Sequence, residues 1–288
     1  MMSLRNKVPW QLKIIAKLIL SKLPISYAQW SKIGLFRHGK MDSFNYAWNV
    51  LSRHREQIPS EQGNWYGLEL GPGDGILSAL LAPALGSGGL TLLDSGDYAD
   101  KDISKYRQQI NDFLLKFNHH KLPDYTNCNS IDEILKYSGG AYYSKGLSSL
   151  KMLADDSFDI IYSQAVLEHV RRDEFLETMQ QCRRLLKPNG VMSHVVDFKD
   201  HLGGGLNNLR ISSGLWEQNW FALKSNFYTN RLRFSEVVKI CEDSGFTLKT
   251  AEISRYEVTP IQRKKLASEF SILSDDDLSI SEAHLVMS

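Results

Sequence analysis

The run Gly67-Leu68-Glu69-Leu70-Gly71-Pro72-Gly73-Asp74-Gly75 sets an acid, Glu69, in an apolar stretch and follows it with glycine at every second position. Without Cβ atoms, Gly71, Gly73 and Gly75 can take positive φ and let the backbone come against a ligand. A helix starting near Ile76 would offer that ligand its free N–H groups. The chemistry suited to such a loop is the binding of a nucleotide cofactor, and spacing decides which nucleotide. A dinucleotide fingerprint wants glycines at relative positions one, three and six, and the sixth position here is Ile76. An ordinary tight turn is the competing reading of the same glycines.

A second carboxylate follows about twenty residues on. Leu90-Thr91-Leu92-Leu93-Asp94 reads as a short buried strand closing on an acid, the place where a Rossmann-like sheet holds ribose hydroxyls. The alternative is that Asp94 opens a turn with Ser95-Gly96. Further along, Asp155 to Val170 contains a strand bearing Ser163 and Gln164, followed by Leu167-Glu168-His169-Val170. Phe175 to Lys187 has helical periodicity and stops at Lys187-Pro188-Asn189-Gly190, and Val191 to Phe198 reads as the next strand. Beyond it come Asp197, Asp200, His201 and three consecutive glycines, 203–205.

These four segments, in this order, resemble the E-x-G-x-G-x-G loop, the acid-ending second strand, the D-S-F-D-x-I-x-S-x-x-V-L-E-H segment and the L-K-P-G-G turn of class I S-adenosylmethionine-dependent methyltransferases. The resemblance covers roughly residues 60–288. It implies a Rossmann-like seven-stranded, mostly parallel α/β sheet with an antiparallel last strand, and S-adenosylmethionine as cofactor. It places Glu69 by the methionine or ribose portion, Gly71, Gly73 and Gly75 along the cofactor, Asp94 on the ribose, Ser163 and Gln164 at the methionine end, and the adenine near Gly146 to Ser149. The chain also looks like bacterial methyltransferases associated with surface-polysaccharide synthesis, which implies O-methylation of a sugar or glycan-type acceptor; a lipid-linked or other small-molecule acceptor is the alternative. A nucleotide-sugar oxidoreductase would need glycine at position 76 and a Tyr-x-x-x-Lys pair, whereas Tyr162 has Val166 four residues on and Tyr137 has Ala141. A non-catalytic cofactor-binding subunit would lose the cofactor acids, yet Glu69 and Asp94 are both present.

Methyl transfer to a hydroxyl needs alignment and a base. His169 after the fourth strand and His201 after the fifth are the candidate bases, with Asp197 and Asp200 placed to orient or tune His201. A packing role is the competing reading of His169, and His194, inside a strand, reads as a core histidine. Asp197 and Asp200 also raise the alternative of a carboxylate-held divalent ion, for which Gln164 and Glu168 near the fourth strand are imperfect further ligands, so no metal is expected. The adjacent pair His119-His120 reads as a solvated helix end.

The elements that must position these residues follow from pattern. At 288 residues, 42% apolar and with formal charge +1, the chain can bury one α/β core with appended helices, and the balance gives no reason to expect nucleic acid. Cys128, Cys182 and Cys241 are widely spaced, as reduced thiols of a cytoplasmic protein would be; Cys182 and Cys241 read as apolar filler on helices. Strands are expected near 65–70, 90–94, 141–144, 158–163, 191–198, 246–258 and 282–287, with a helix from Ser235 to Asp243 capped at Ser244-Gly245. Residues 1–60 form a helical extension ahead of a domain spanning 61–288, which carries insertions at 96–140 and 199–233. In the second insertion, the triple glycine reads as a lid hinge. Its Trp216, Trp220, Asn226, Tyr228 and Asn230 would suit a ring-shaped, hydroxyl-rich acceptor, although Trp216, Trp220 and Phe221 at helical spacing also suit a core; Arg231 and Arg233 would grip a phosphate or carboxylate of the acceptor or pair with surface acids. Residues 8–23 form a basic amphipathic helix fit for peripheral contact at the inner face of a membrane, for capping the cofactor pocket, or for a partner subunit. No apolar run is long enough to span a bilayer, and no secretory cleavage site follows this segment.

Overall fold

The computed structural model describes residues 9–20, 41–59, 61–117, 122–224 and 227–288. His119-His120, Asn226 and both ends of the 8–23 segment lie outside the described residues. Seven strands, β1 (Trp65–Leu70), β2 (Ser87–Leu93), β3 (Ala141–Tyr143), β4 (Phe158–Gln164), β5 (Leu186–Asp197), β6 (Leu248–Arg255) and β7 (Ile280–Met287), form one sheet in the order β3-β2-β1-β4-β5-β7-β6. Neighbours from β3 through β5 pair in parallel, while β7 runs antiparallel to both β5 and β6. This is the expected sheet, with its last strand reversed.

β1 and β4 are buried along almost their whole length, because both of their faces are covered and their sequences carry apolar residues on each. One face is covered by the helices Phe44–Arg55, Leu77–Leu81, Ile103–Phe117 and Ile131–Tyr137, whose apolar residues form one cluster with Trp65, Ile160 and Tyr162. The helices Gly146–Met152, Phe175–Leu185 and Phe234–Asp243 cover the other, with Leu68, Leu70 and Ile161. Phe175, Met179, Cys182 and Leu185 are buried at helical spacing, so one stripe of that helix makes the contact. Cys182 and Cys241 fill apolar space on two adjacent helices, as expected, and burial pushes each thiol up to about 12.

Three boundaries differ from the pattern. β5 starts at Leu186 and not at Val191: Leu186 pairs with Phe158 and Val191 with Ile160, so Lys187-Pro188-Asn189-Gly190 bulge between two pairings. Proline is tolerated there because the bulge asks it for no ladder N–H. β6 is shorter than the alternation suggested, since Phe246 is drawn into the core ahead of it. In the N-terminal extension, the helix Phe44–Arg55 buries Ala47, Val50 and Leu51 against the sheet and is an integral layer. Farther upstream, the helix Trp10–Leu20 turns Ile14 into a satellite cluster with Leu202, Trp216, Phe221, Phe227 and Tyr228, and leaves Leu12, Ile15 and Ile19 more than half exposed. No helix among the described residues is long and apolar enough to cross a membrane.

Candidate active site

Strand order reverses between β1 and β4, and the crevice at the carboxyl ends of these strands is where open α/β sheets bind ligands. Gly71 (φ 67°) and Gly73 (φ 65°) carry the loop after β1 through the left-handed region. A Cβ on Gly71 would lie 2.5 Å from the side chain of Val166, so glycine lets the loops after β1 and β4 approach. The third glycine has another task. A Cβ on Gly75 would lie 2.6 Å from the carbonyl oxygen of Met41, so Gly75 makes room for the chain leading into the helix Phe44–Arg55.

Asp94 stands at the end of β2, nine-tenths buried. Its Oδ2 accepts from the Gly73 amide at 3.0 Å and its Oδ1 from the Ser95 amide at 2.7 Å. The turn reading and the ligand reading of Asp94 therefore meet in one residue, since the turn fixes the carboxylate against the glycine loop. The Asp94 carbonyl accepts from Gly146 at 2.8 Å, which brings the Gly146–Ser149 segment to the same strand end. Glu69 is buried in the layer below: Ser78 donates to its carboxylate, and burial pushes that carboxyl up to about 7. Ser163 is also buried, with Oγ 2.7 Å from His194 Nδ1, and Gln164 ends β4 half-buried beside His54.

His194 is thus the core histidine expected, and burial lowers it to about 3. No local pattern marks its companions. His54 Nδ1 lies 2.7 Å from Ser193 Oγ, which lies 2.9 Å from His284 Nε2, and His54 stacks on Tyr162 with ring centroids 4.6 Å apart. Burial holds His54 well below its ordinary pKa, so this layer consists of neutral imidazoles joining the sheet to the helix Phe44–Arg55.

Glu168, His169 and His201 meet on the β4–β5 side of the crevice. The two imidazole centroids are 4.8 Å apart, and one candidate ligand atom from each of the three residues lies within 4.8 Å of the others. His169 follows β4 in a single 3-10 turn, Leu167–His169. Its Nδ1 lies 3.0 Å from the carbonyl oxygen of Tyr228, an acceptor only, so Nδ1 carries the proton and the lone pair sits on Nε2. Both imidazoles are exposed, but Glu168 is 4% exposed and neither of its carboxylate oxygens forms a hydrogen bond of ordinary geometry. Burial pushes its carboxyl well above the usual range, with nearby Asp197 adding to the effect, while backbone N–H groups and Lys199 offset part of it. The sequence marks Glu168 only as an imperfect metal ligand near the fourth strand, and its burial is what the structure adds.

The other acceptor-side residues play different parts from those their types suggested. Asp200 is 2% exposed: Oδ1 accepts from the Leu202 and Gly205 amides, and Oδ2 from the amide and side chain of Asn207. The triple glycine therefore closes a loop stapled by Asp200, and this corrects its reading as a hinge. Asp197 pairs with Lys199 at 2.9 Å at the end of β5, near Glu168. Arg233 is buried and donates to the carbonyls of Phe198, Asp277 and Ile280, and Arg231 (φ 60°) donates to Ile211 O and Ser213 and pairs with Glu217. Asn230 donates to Leu167 O and Val170 O, Trp216 is wholly buried, and only Trp220 is half exposed. Asn230 fastens the insertion to the β4 loop, Arg233 ties it to Phe198, Asp277 and Ile280, and Arg231 and Trp216 brace it internally, so the reading of these side chains as an acceptor grip is corrected. A surface hollow of about 470 Å³ between Arg172, Glu269 and Asp277 is lined by none of the crevice residues.

Residues 68–192 match the family model described as a methyltransferase domain. Among solved structures, the chain is similar to an S-adenosylmethionine-dependent methyltransferase from Mesorhizobium loti (16% identity over 86% of this chain and 98% of that one, TM-score 0.44). It is also similar to phosphoethanolamine N-methyltransferase 2 of Haemonchus contortus solved with S-adenosylhomocysteine (14%, 88% and 53%, TM-score 0.46), and to a methyltransferase of Archaeoglobus fulgidus (13%, 84% and 93%, TM-score 0.43). No curated protein sequence matches. The matched segment runs from β1 into β5 and includes the glycine loop, Asp94 and the Glu168-His169 turn. Residues 68–192 are similar to a methyltransferase domain, and S-adenosylmethionine is the cofactor that such a domain implies. The chain's residues fit that cofactor on geometric grounds: two left-handed glycines open the loop beside a buried carboxylate held at the second strand's end.

Proposed function

We propose that this enzyme transfers the methyl group of S-adenosylmethionine to a hydroxyl oxygen of a small-molecule acceptor of sugar or glycan type. The carrying observation is the convergence of Glu168, His169 and His201 on the crevice just beyond Val166, which touches the glycine loop. In this reading Gly71, Gly73 and Asp94 hold the cofactor, with Glu69, Gly75, Ser163 and Gln164 supporting the walls behind. When bound, S-adenosylmethionine supplies an electrophilic methyl carbon. The chain's own contribution is to place the acceptor oxygen in line with that carbon and to handle the proton the hydroxyl must lose, which requires basic groups at the mouth of the crevice. Two exposed imidazoles, one with its tautomer fixed by Tyr228, meet that requirement.

The test is incubation of the purified chain with methyl-labelled cofactor and a panel of sugars, nucleotide sugars, glycans and amines, read by mass spectrometry. Label on a sugar hydroxyl supports the proposal, and label confined to amines overturns it. The exposed Leu12, Ile15 and Ile19 favour a second element, peripheral attachment of residues 8–23 to an anionic membrane. Flotation with anionic liposomes at low salt should carry the intact chain and leave a chain lacking residues 1–24 behind; failure of the intact chain to float refutes the attachment.

A further inference from the structure

We propose that Glu168, His169 and His201 form a binding site for a divalent transition-metal ion of the zinc type, with an open coordination position facing the crevice. Two imidazole nitrogens and one carboxylate oxygen are a donor set that Zn²⁺ and its neighbours accept, leaving a fourth position for an oxygen ligand. One such atom from each residue already lies within 4.8 Å of the others. Around an ion with bonds of about 2.1 Å they would stand about 3.4 Å apart. The closure falls on His169 and His201, both exposed side chains whose rotation displaces no core packing.

The independent observation is Glu168. A carboxylate that is 96% buried and lacks an ordinary hydrogen-bond partner for either oxygen is a costly arrangement, and a cation at the cluster would compensate it. Lys199 does not fill that role, since its ammonium lies 2.9 Å from Asp197 and 3.3 Å from the Ser281 carbonyl. The Tyr228 carbonyl at His169 Nδ1 also has the form of the outer contact that fixes a metal-bound imidazole and turns its Nε2 lone pair outward. The acids that the sequence singled out for a metal, Asp197 and Asp200, are engaged by Lys199 and by loop amides, so the ion's place is after the preceding strand β4, on Glu168.

The inference rests on the proposed function and changes the imidazoles' part in it: bound to an ion they would no longer accept the proton themselves, and the ion would hold the acceptor oxygen and make its hydroxyl more acidic. Its test requires no turnover. The full-length chain, stripped with chelator and dialysed, is titrated with Zn²⁺ by calorimetry and with Co²⁺ by visible absorption, without cofactor or acceptor. One equivalent of ion with micromolar or tighter affinity is expected, and His201→Ala and Glu168→Gln should each weaken it by about a hundredfold or more. His201→Ala is a surface change that leaves the fold intact, so it decides the matter if Glu168→Gln folds poorly. No stoichiometric uptake, or uptake indifferent to His201→Ala, overturns the site. Hydroxyl methylation that survives chelation, together with absent uptake, overturns the metal and leaves the proposed function standing.

Discussion

The two sides of the crevice are built in opposite ways. At the ends of β1 and β2 the backbone itself forms the site: two left-handed glycines, and one carboxylate locked by the amides of Gly73 and Ser95. At the ends of β4 and β5 side chains do so, and the backbone behind them is held by buried polar residues gathered from distant segments, such as Arg233 on the carbonyls of Phe198, Asp277 and Ile280. The first side fits a cofactor whose shape is fixed, since main-chain geometry needs only glycine in the right places. The second can change its acceptor by changing side chains on a fastened insertion.

Arg233→Met is the change expected to break the acceptor side most severely. It strands three buried carbonyls, so stability should fall by about 3 kcal/mol or more in urea unfolding. A loss below 1 kcal/mol would show that the clamp is not what fastens the insertion.

On the cofactor side the weak point is a buried acid. Glu69 is held at about 7 in the folded chain against 4.5 for an ordinary glutamate. The native state therefore binds that proton more tightly, and the stability this confers is complete below about pH 4.5 and lost as pH rises through 7. Glu69→Gln should flatten this dependence and stabilise the chain at pH 8 by on the order of 2–3 kcal/mol relative to its value at pH 4.5, compared with the parent. Parallel unfolding curves for parent and variant across that range would contradict the assignment.

His201→Ala separates the two sides functionally. Turnover should drop by roughly a hundredfold while cofactor affinity, read by calorimetry, is unchanged. Asp94→Ala should do the reverse and weaken the cofactor by about 1–3 kcal/mol. The smallest effect is reserved for Trp220, half exposed at the insertion's surface: Trp220→Ser should alter stability by less than about 0.5 kcal/mol, and a marked rise in acceptor KM would show that this ring, unlike Trp216, belongs to the binding surface.

The contrast also explains what could be read from the sequence. β1, β2 and β4 were legible because a buried parallel strand is a short apolar run, and the glycine loop and Asp94 are local signals. The early start of β5 was hidden because Pro188-Asn189-Gly190 reads as a break, whereas the sheet accommodates it as a bulge. Arg231 and Arg233 stood open between an acceptor grip and pairing with acids, because residue type reveals a charge but not the Glu217 carboxylate or the buried carbonyls of Ile211, Phe198 and Asp277 that receive it. His169 and His201 were legible as candidates from their places after two strands. Their contact with each other and with Glu168 depends on the insertion's path, which no local pattern records.

We propose that the crevice between β1 and β4 holds S-adenosylmethionine against Asp94 and the glycine loop. Calorimetric titration of the full chain with S-adenosylmethionine, and separately with NAD, is the decisive measurement. One site of micromolar-range affinity for S-adenosylmethionine that Asp94→Ala weakens, and no heat with NAD, is the expected result; binding of NAD without S-adenosylmethionine, or S-adenosylmethionine affinity unmoved by Asp94→Ala, would overturn this placement.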